Sequence, residues 1–136
     1  MLDATPENVH VLLLSHWMPH SLGACNEVSM NPVRKEDSSK MMDLLASYVG
    51  KVKLVGLFTG DTHVNFQVNV AGVNYFVSQG YGWNAPDMLF PGQDHAYFDY
   101  TKSLCIDVVA VKPATREVHT FRIGAGGADF DYVFDY

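Results

Sequence analysis

Cysteine is scarce in this chain, and its two cysteines stand far apart. Cys25 and Cys105 each lie alone, and neither belongs to a Cys-x-x-Cys pair. A disulfide framework and a cysteine-based zinc site are therefore not predicted. The spacing favours two independent thiols in a reducing compartment.

Basic residues and long apolar runs are also in short supply. Nine Lys and Arg stand against fifteen Asp and Glu, so the formal net charge is −6. This balance argues against a broad surface for nucleic acid or for an anionic membrane. The longest apolar run, around residues 11–14, falls far short of the roughly 20 residues that cross a bilayer. Residues 1–7 do not resemble a signal peptide, so we expect a cytoplasmic protein with no membrane partner.

The remaining composition is that of a globular domain. Of the 136 residues, 48% are hydrophobic and 18% are charged. A chain of this length can bury a core, and residues 1–136 are expected to form a single domain. Six His and fifteen acidic residues would also permit binding of a divalent metal.

Local patterns predict strand, helix and strand in the first half of the chain. Residues 9–15 and 53–59 have the character of buried strands. A capped amphipathic helix lies between them, with Asp37 or Ser38 as the predicted N-cap and Gly50 as the stop. A crossover helix implies that the two strands are parallel and end on the same side of a sheet.

The second half of the chain is predicted to be mostly antiparallel. Residues 65–78 alternate apolar and polar side chains around Ala71-Gly72, which predicts a hairpin. Two more strands are expected at 104–111 and 118–123, after an irregular loop and before an acidic, aromatic tail. The fold class predicted is α/β (α+β), with one main helix, and not a doubly wound nucleotide fold.

Both predicted parallel strands stop at a histidine. The segments are Leu14-Ser15-His16 and Thr59-Gly60-Asp61-Thr62-His63. Imidazole and carboxylate groups suit zinc, manganese and iron, and strand ends hold such ligands on a rigid scaffold. We therefore expect His16 and His63 to approach each other. Ser15 is not expected to form a dyad with His16, because neighbouring strand residues face opposite ways.

These segments resemble two motifs of the calcineurin-like metallophosphoesterases. Ser15-His16-Trp17-Met18-Pro19 is similar to the fourth motif of that family, in which a strand delivers Ser-His followed by Pro. Gly60-Asp61-Thr62-His63 is similar to the fifth, usually Gly-His-x-His. The intervening helix, the following hairpin and the stretch 106–126 also resemble the C-terminal half of bacterial members.

The resemblance implies the fold and the chemistry of that family. The fold would be the C-terminal half of an α/β/β/α sandwich. The complete site holds two divalent ions (Mn, Fe or Zn) that hydrolyse phosphate mono- or diesters. His16 would bind the second ion and His63 the first. Asp61 stands where the family has a second-ion histidine, and a carboxylate can still bind a hard divalent ion.

The family's earlier motifs precede the Ser-His motif, and only fifteen residues precede His16. These motifs are Asp-x-His, Gly-Asp-x-x-Asp and Gly-Asn-His-Asp/Glu. We therefore expect an incomplete site that has no catalytic residue of its own and is inactive in this isolated chain. The expected partners are the missing N-terminal half or further copies of the chain in a homo-oligomer.

Other interpretations remain open. Asp61-Thr62-His63 could itself be the family's first motif, although Gly92-Gln93-Asp94-His95 does not continue that pattern. His20 and the pair Asp94-His95 are weaker candidates for a site. The alternative function is a non-catalytic, β-rich binding or interaction module.

Overall fold

A computed structural model of the chain describes residues 2–19, 35–60, 66–78, 105–124 and 131–136. Within these ranges it contains one α-helix, seven strands and a short 3-10 helix (Leu2–Ala4). The helix is α1 (Lys35–Ala46). The strands are β1 (His10–Ser15), β2 (Lys53–Thr59), β3 (Phe66–Val70), β4 (Val73–Val77), β5 (Cys105–Lys112), β6 (Glu117–Gly124) and β7 (Tyr132–Asp135). No α-helix in these ranges is both long and apolar enough to span a membrane.

Four strands form a mixed sheet in the order β1-β2-β4-β3. Strands β1, β2 and β4 run parallel, and β3 pairs antiparallel with β4. The predicted parallel pairing of β1 with β2 is thereby confirmed. One face of the sheet packs against α1 through a cluster of buried side chains around Leu45. Its other buried members are Met18, Leu54, Leu57, Val73, Tyr75 and Val77.

Strands β5, β6 and β7 form a separate antiparallel sheet in that order. It packs on the opposite face of the mixed sheet through a second apolar cluster. The buried members are Val55, Phe58, Phe76, Val118 and Phe134. The described chain therefore has three layers (helix, mixed sheet, antiparallel sheet) and a mixed α+β fold, as the general class predicted.

The predicted start of the helix is wrong. Helix α1 already begins at Lys35, so Asp37 and Ser38 lie inside it and neither is the N-cap. Glu36 and Asp37 instead occupy the first turn, where acidic groups interact favourably with the helix dipole. The helix ends at Ala46, before a turn that leads to Gly50, whose φ is +79°.

Strand β7 lies in the segment that the sequence analysis treated as a tail. Its residues alternate in burial, and Phe134 reaches the core between the two sheets. A four-residue strand between acidic residues gives too short a period-2 signal to stand out in the sequence. The strands predicted at 104–111 and 118–123 are present, with ends shifted by one residue.

A bulge in β2 sets which side chains face which layer. Val11 pairs with Leu54 but Leu12 pairs with Gly56, so Val55 is an extra residue in β2. At Gly56, where φ is +155°, a Cβ atom would lie 2.7 Å from the carbonyl oxygen of Asn74. Only glycine allows this close approach, and the bulge shifts the alternation so that Val55 and Phe58, three positions apart, both join the cluster between the sheets.

Candidate metal centre

The carboxyl ends of the three parallel strands lie side by side. Ser15 pairs with Thr59, and Thr59 pairs with Val77 on the other side. Just beyond them, the Gly60 N–H donates to the carbonyl oxygen of His16 at 3.4 Å. Further along this edge, the Ser78 N–H donates to the carbonyl oxygen of Thr59 at 2.9 Å. Ligands of open α/β sheets bind at this kind of edge.

An open cleft of about 520 Å³ lies at this edge, between the two sheets. The strands β1, β2, β4 and β5 all contribute to it. Its lining residues are Leu12, Leu14, Ser15, His16, Phe58, Thr59, Phe76, Ser78, Asp107 and Val109. His16 is exposed at the end of β1. Leu12 and Leu14, two residues apart, lie on the same side of β1, and His16 follows directly after the strand.

Of the three predicted metal ligands, the structure describes one. His16 lines the cleft, whereas Asp61 and His63 lie outside the described residues, so the approach of His63 to His16 stays a prediction. His20, Asp94 and His95 also lie outside these ranges. No group of three or more His, Cys, Asp or Glu with metal-binding geometry occurs among the residues described.

One hydrogen bond bears on the local chemistry of the fourth motif. The Ser15 hydroxyl donates to the carbonyl oxygen of Trp17 at 2.9 Å, so this bond is directed along the chain. Ser15 and His16 both line the cleft, and the expectation that they form no dyad stays a prediction.

One residue of the cleft wall, Asp107, belongs to a buried ion pair that sequence reasoning missed. The guanidinium of Arg122 donates to the two carboxylate oxygens of Asp107 through Nε at 2.6 Å and through Nη2 at 2.7 Å. The side chains of Arg122 and Asp107 are only 0% and 5% exposed. The Ser78 hydroxyl also donates to Asp107, which connects the antiparallel sheet to the end of β4.

The pairing register explains why this ion pair escaped notice. Asp107 and Arg122 are cross-strand partners on either side of the β5–β6 turn. They are fifteen positions apart in sequence. Counting outward from the turn that pairs Lys112 with Glu117 would have brought them together.

The ion pair makes Asp107 a poor metal ligand, although this residue lines the cleft. Burial alone would lower the pKa of Arg122, but the hydrogen bond and the charge of Asp107 outweigh it and raise that pKa. Both carboxylate oxygens already accept hydrogen bonds. Burial also raises the pKa of the Cys105 thiol, which disfavours the thiolate that metals bind.

Comparison with protein-family models, curated proteins and solved structures finds no match to this chain. The assignment of a function therefore rests on the geometry of the cleft and on the sequence motifs.

Proposed function

We propose that this chain carries the C-terminal half of a metallophosphoesterase-type hydrolase and supplies ligands to a divalent metal centre at the cleft. The contact between the Gly60 N–H and the His16 carbonyl carries the proposal. It joins the fourth motif to the first residue of the fifth. The two motifs are far apart in sequence. The proposal requires the strands that precede them to run parallel, and β1 and β2 pair in this way.

The layering of the chain also supports this proposal. Helix, mixed sheet and antiparallel sheet correspond to three layers of an α/β/β/α sandwich, which has a further helical layer on its other side. The outer face of the antiparallel sheet, where that layer would pack, carries five exposed apolar side chains. We call these the outer face: Ile106, Val108, Phe121, Ile123 and Val133.

In the proposed site, His16 and Asp61 bind one ion and His63 the other. A bound Mn, Fe or Zn ion would polarise a phosphate oxygen of a mono- or diester and acidify a water molecule. The contribution of the chain itself is to hold the His16 imidazole just beyond the end of β1, beside the apolar wall formed by Phe58 and Phe76. The remaining ligands come from the N-terminal half of the family fold.

Metal titration tests the proposal. We expect the chain to bind Zn²⁺ or Mn²⁺ weakly, with a Kd on the order of 100 µM, and His16→Ala to weaken binding at least about tenfold. His119→Ala is the matched control, because His119 contacts Glu117 and Phe121 on the antiparallel sheet. Equal calorimetric titrations for His16→Ala and the unaltered chain would overturn the assignment.

Catalysis is expected to be negligible in the isolated chain. A dinuclear centre needs roughly six to eight protein ligands, and the matched motifs supply three. A generic phosphodiester and a phosphomonoester, each assayed with Mn²⁺, are the substrates to use. Metal-dependent turnover of about 1 per second or faster would contradict an incomplete site.

A non-catalytic interaction module is the second candidate function. The outer face favours it, because contiguous exposed apolar surface on a small domain commonly marks a contact with another protein. Metal titration separates the candidates, since a module of this kind has no reason to bind metal through His16.

A further inference from the structure

Strand β1 lies at an edge of the mixed sheet and pairs, within the described ranges, with β2 alone. Its other side presents a row of backbone N–H and C=O groups. Natural edge strands are usually protected by charged residues, by proline or by a bulge. The sequence of β1, His-Val-Leu-Leu-Leu-Ser, has no Asp, Glu, Lys, Arg or Pro, and the bulge lies in β2.

Both faces of β1 are apolar, as is typical of a strand inside a parallel sheet. Val11 and Leu13 pack against the cluster beneath α1, and Leu12 packs against the cluster between the sheets. Leu14 follows on the cleft side and is 78% exposed. A strand with interior character therefore occupies an edge.

We propose that β1 pairs antiparallel with β1 of a second copy of this chain, which would extend the mixed sheet across a two-fold axis. The backbone groups of β1 that have no strand partner among the described residues select a strand as the occupant. A second copy presents the same edge, which satisfies the self-complementarity of a two-fold interface. The pairing requires no metal, so it goes beyond the proposed function and does not depend on it.

The alternation of side chains restricts the register to an axis that passes through a residue of β1. A two-fold axis perpendicular to the sheet keeps each face continuous, so paired residues must point to the same face in both copies. An axis at Leu13 places Leu12 opposite the partner's Leu14. Both exposed Leu14 side chains then gain an apolar neighbour at the mouth of the cleft.

The size of the contact predicts a weak dimer. The six residues of β1 span about 20 Å along the strand, and three layers of about 10 Å each give the edge a depth of about 30 Å. The contact would therefore bury about 600 Å² on each partner, or about 1,200 Å² in total. That area lies at the lower limit for a stable interface, so a Kd in the micromolar range is expected. Each copy has a net charge of −6, and added salt should strengthen the dimer by screening this repulsion.

Other edges of the described sheets are less suited to pairing. Strand β5 contains Asp107 and Lys112, and β7 contains Asp135. Strand β3 is shorter and alternates Gln67 and Asn69 with its apolar residues. The outer face is the main rival surface, and it can be tested separately.

Sedimentation equilibrium in EDTA, which excludes metal effects, tests the pairing with three substitutions. Leu14→Lys places a charge at the proposed interface. Leu44→Lys is the matched control, because Leu44 is 55% exposed on α1, and Val133→Lys, at a residue 63% exposed, probes the outer face. We expect a monomer–dimer equilibrium at micromolar concentration, weakened at least about tenfold by Leu14→Lys and unchanged by the two others.

A 15.1 kDa monomer at about 100 µM would overturn the proposal, as would dissociation by Val133→Lys but not by Leu14→Lys. Amide hydrogen exchange gives a test that needs no substitution. The outward-facing amides of β1 should exchange more slowly as the protein concentration rises. Exchange that is independent of concentration would also contradict the pairing, even if Leu14→Lys failed to fold.

Discussion

Single residues tie the two sheets together through buried polar groups. The Asn74 side chain accepts a hydrogen bond from Asn69 Nδ2 at 2.9 Å and donates one to the Asp135 carbonyl at 2.6 Å. At the cleft, Asp107 receives hydrogen bonds from Arg122 and from Ser78. Buried polar groups of this kind are costly to leave half-satisfied, so each fixes the position of its partner.

Removal of Asp107 should be strongly destabilising. Asp107→Ala leaves the Arg122 guanidinium buried without its counter-charge, and we expect a loss of about 3–5 kcal/mol in the free energy of unfolding. The control is Lys40→Ala, which breaks the exposed Asp37–Lys40 pair and should cost less than about 1 kcal/mol. Urea unfolding measures both variants. Similar losses for the two would show that the buried pair has no special role.

Tyr75 should make the protein sensitive to alkali. Burial raises its pKa to about 12 from an ordinary value of 10.0. The folded state therefore keeps the phenol protonated where the unfolded state ionises, and stability falls as pH rises from about 10 to about 12, by roughly 2–3 kcal/mol. Tyr75→Phe should flatten this part of the stability curve. An unchanged slope between these pH values would rule out Tyr75 as its source.

At the scale of elements, the β3–β4 hairpin shows how turn residues set register. Ala71 and Gly72 both have positive φ, 52° and 81°, as a type I′ turn requires. Glycine tolerates this geometry, but alanine is strained in it. The Asn69 side chain stabilises the turn by accepting a hydrogen bond from the Gly72 N–H at 3.1 Å.

Substitutions in this turn should act in opposite directions. Ala71→Asn relieves strain and should stabilise the protein by about 0.5–1 kcal/mol. Gly72→Ala should destabilise it, because φ is +81° and a Cβ atom would lie 3.0 Å from Val49 Cγ1. Thermal denaturation compares the two. A stabilising Gly72→Ala would contradict the described turn.

Strands could be predicted from the sequence where their hydrophobic pattern is local and long enough to stand out. The hairpin and the strand 53–59 were predictable because alternation and apolar runs are local signals. The pairing of β2 with β4 and the bulge at Gly56 were not predictable from the sequence. Both depend on the close approach of the Gly56 backbone to the Asn74 carbonyl. Strand β7 was missed because Phe134 gains its core position only from contacts distant in sequence.

At the scale of the whole molecule, the described residues form a cleft between the two sheets. The edge strands β1 and β5 both line the cleft, and His16 lies at its rim. The sequence predicted His16 as a candidate because it ends a buried strand. It did not reveal the ion pair of Asp107 with Arg122, because these residues come together only when the β5–β6 register is counted outward from the turn.

Anomalous X-ray diffraction at the zinc edge, on crystals of the chain soaked in zinc, tests the central claim most directly. The account predicts a zinc ion about 2.0–2.1 Å from an imidazole nitrogen of His16, with His63 or Asp61 as a further ligand or at a neighbouring ion. Zinc bound only at other residues, or no zinc at the end of β1, would contradict the proposed metal centre.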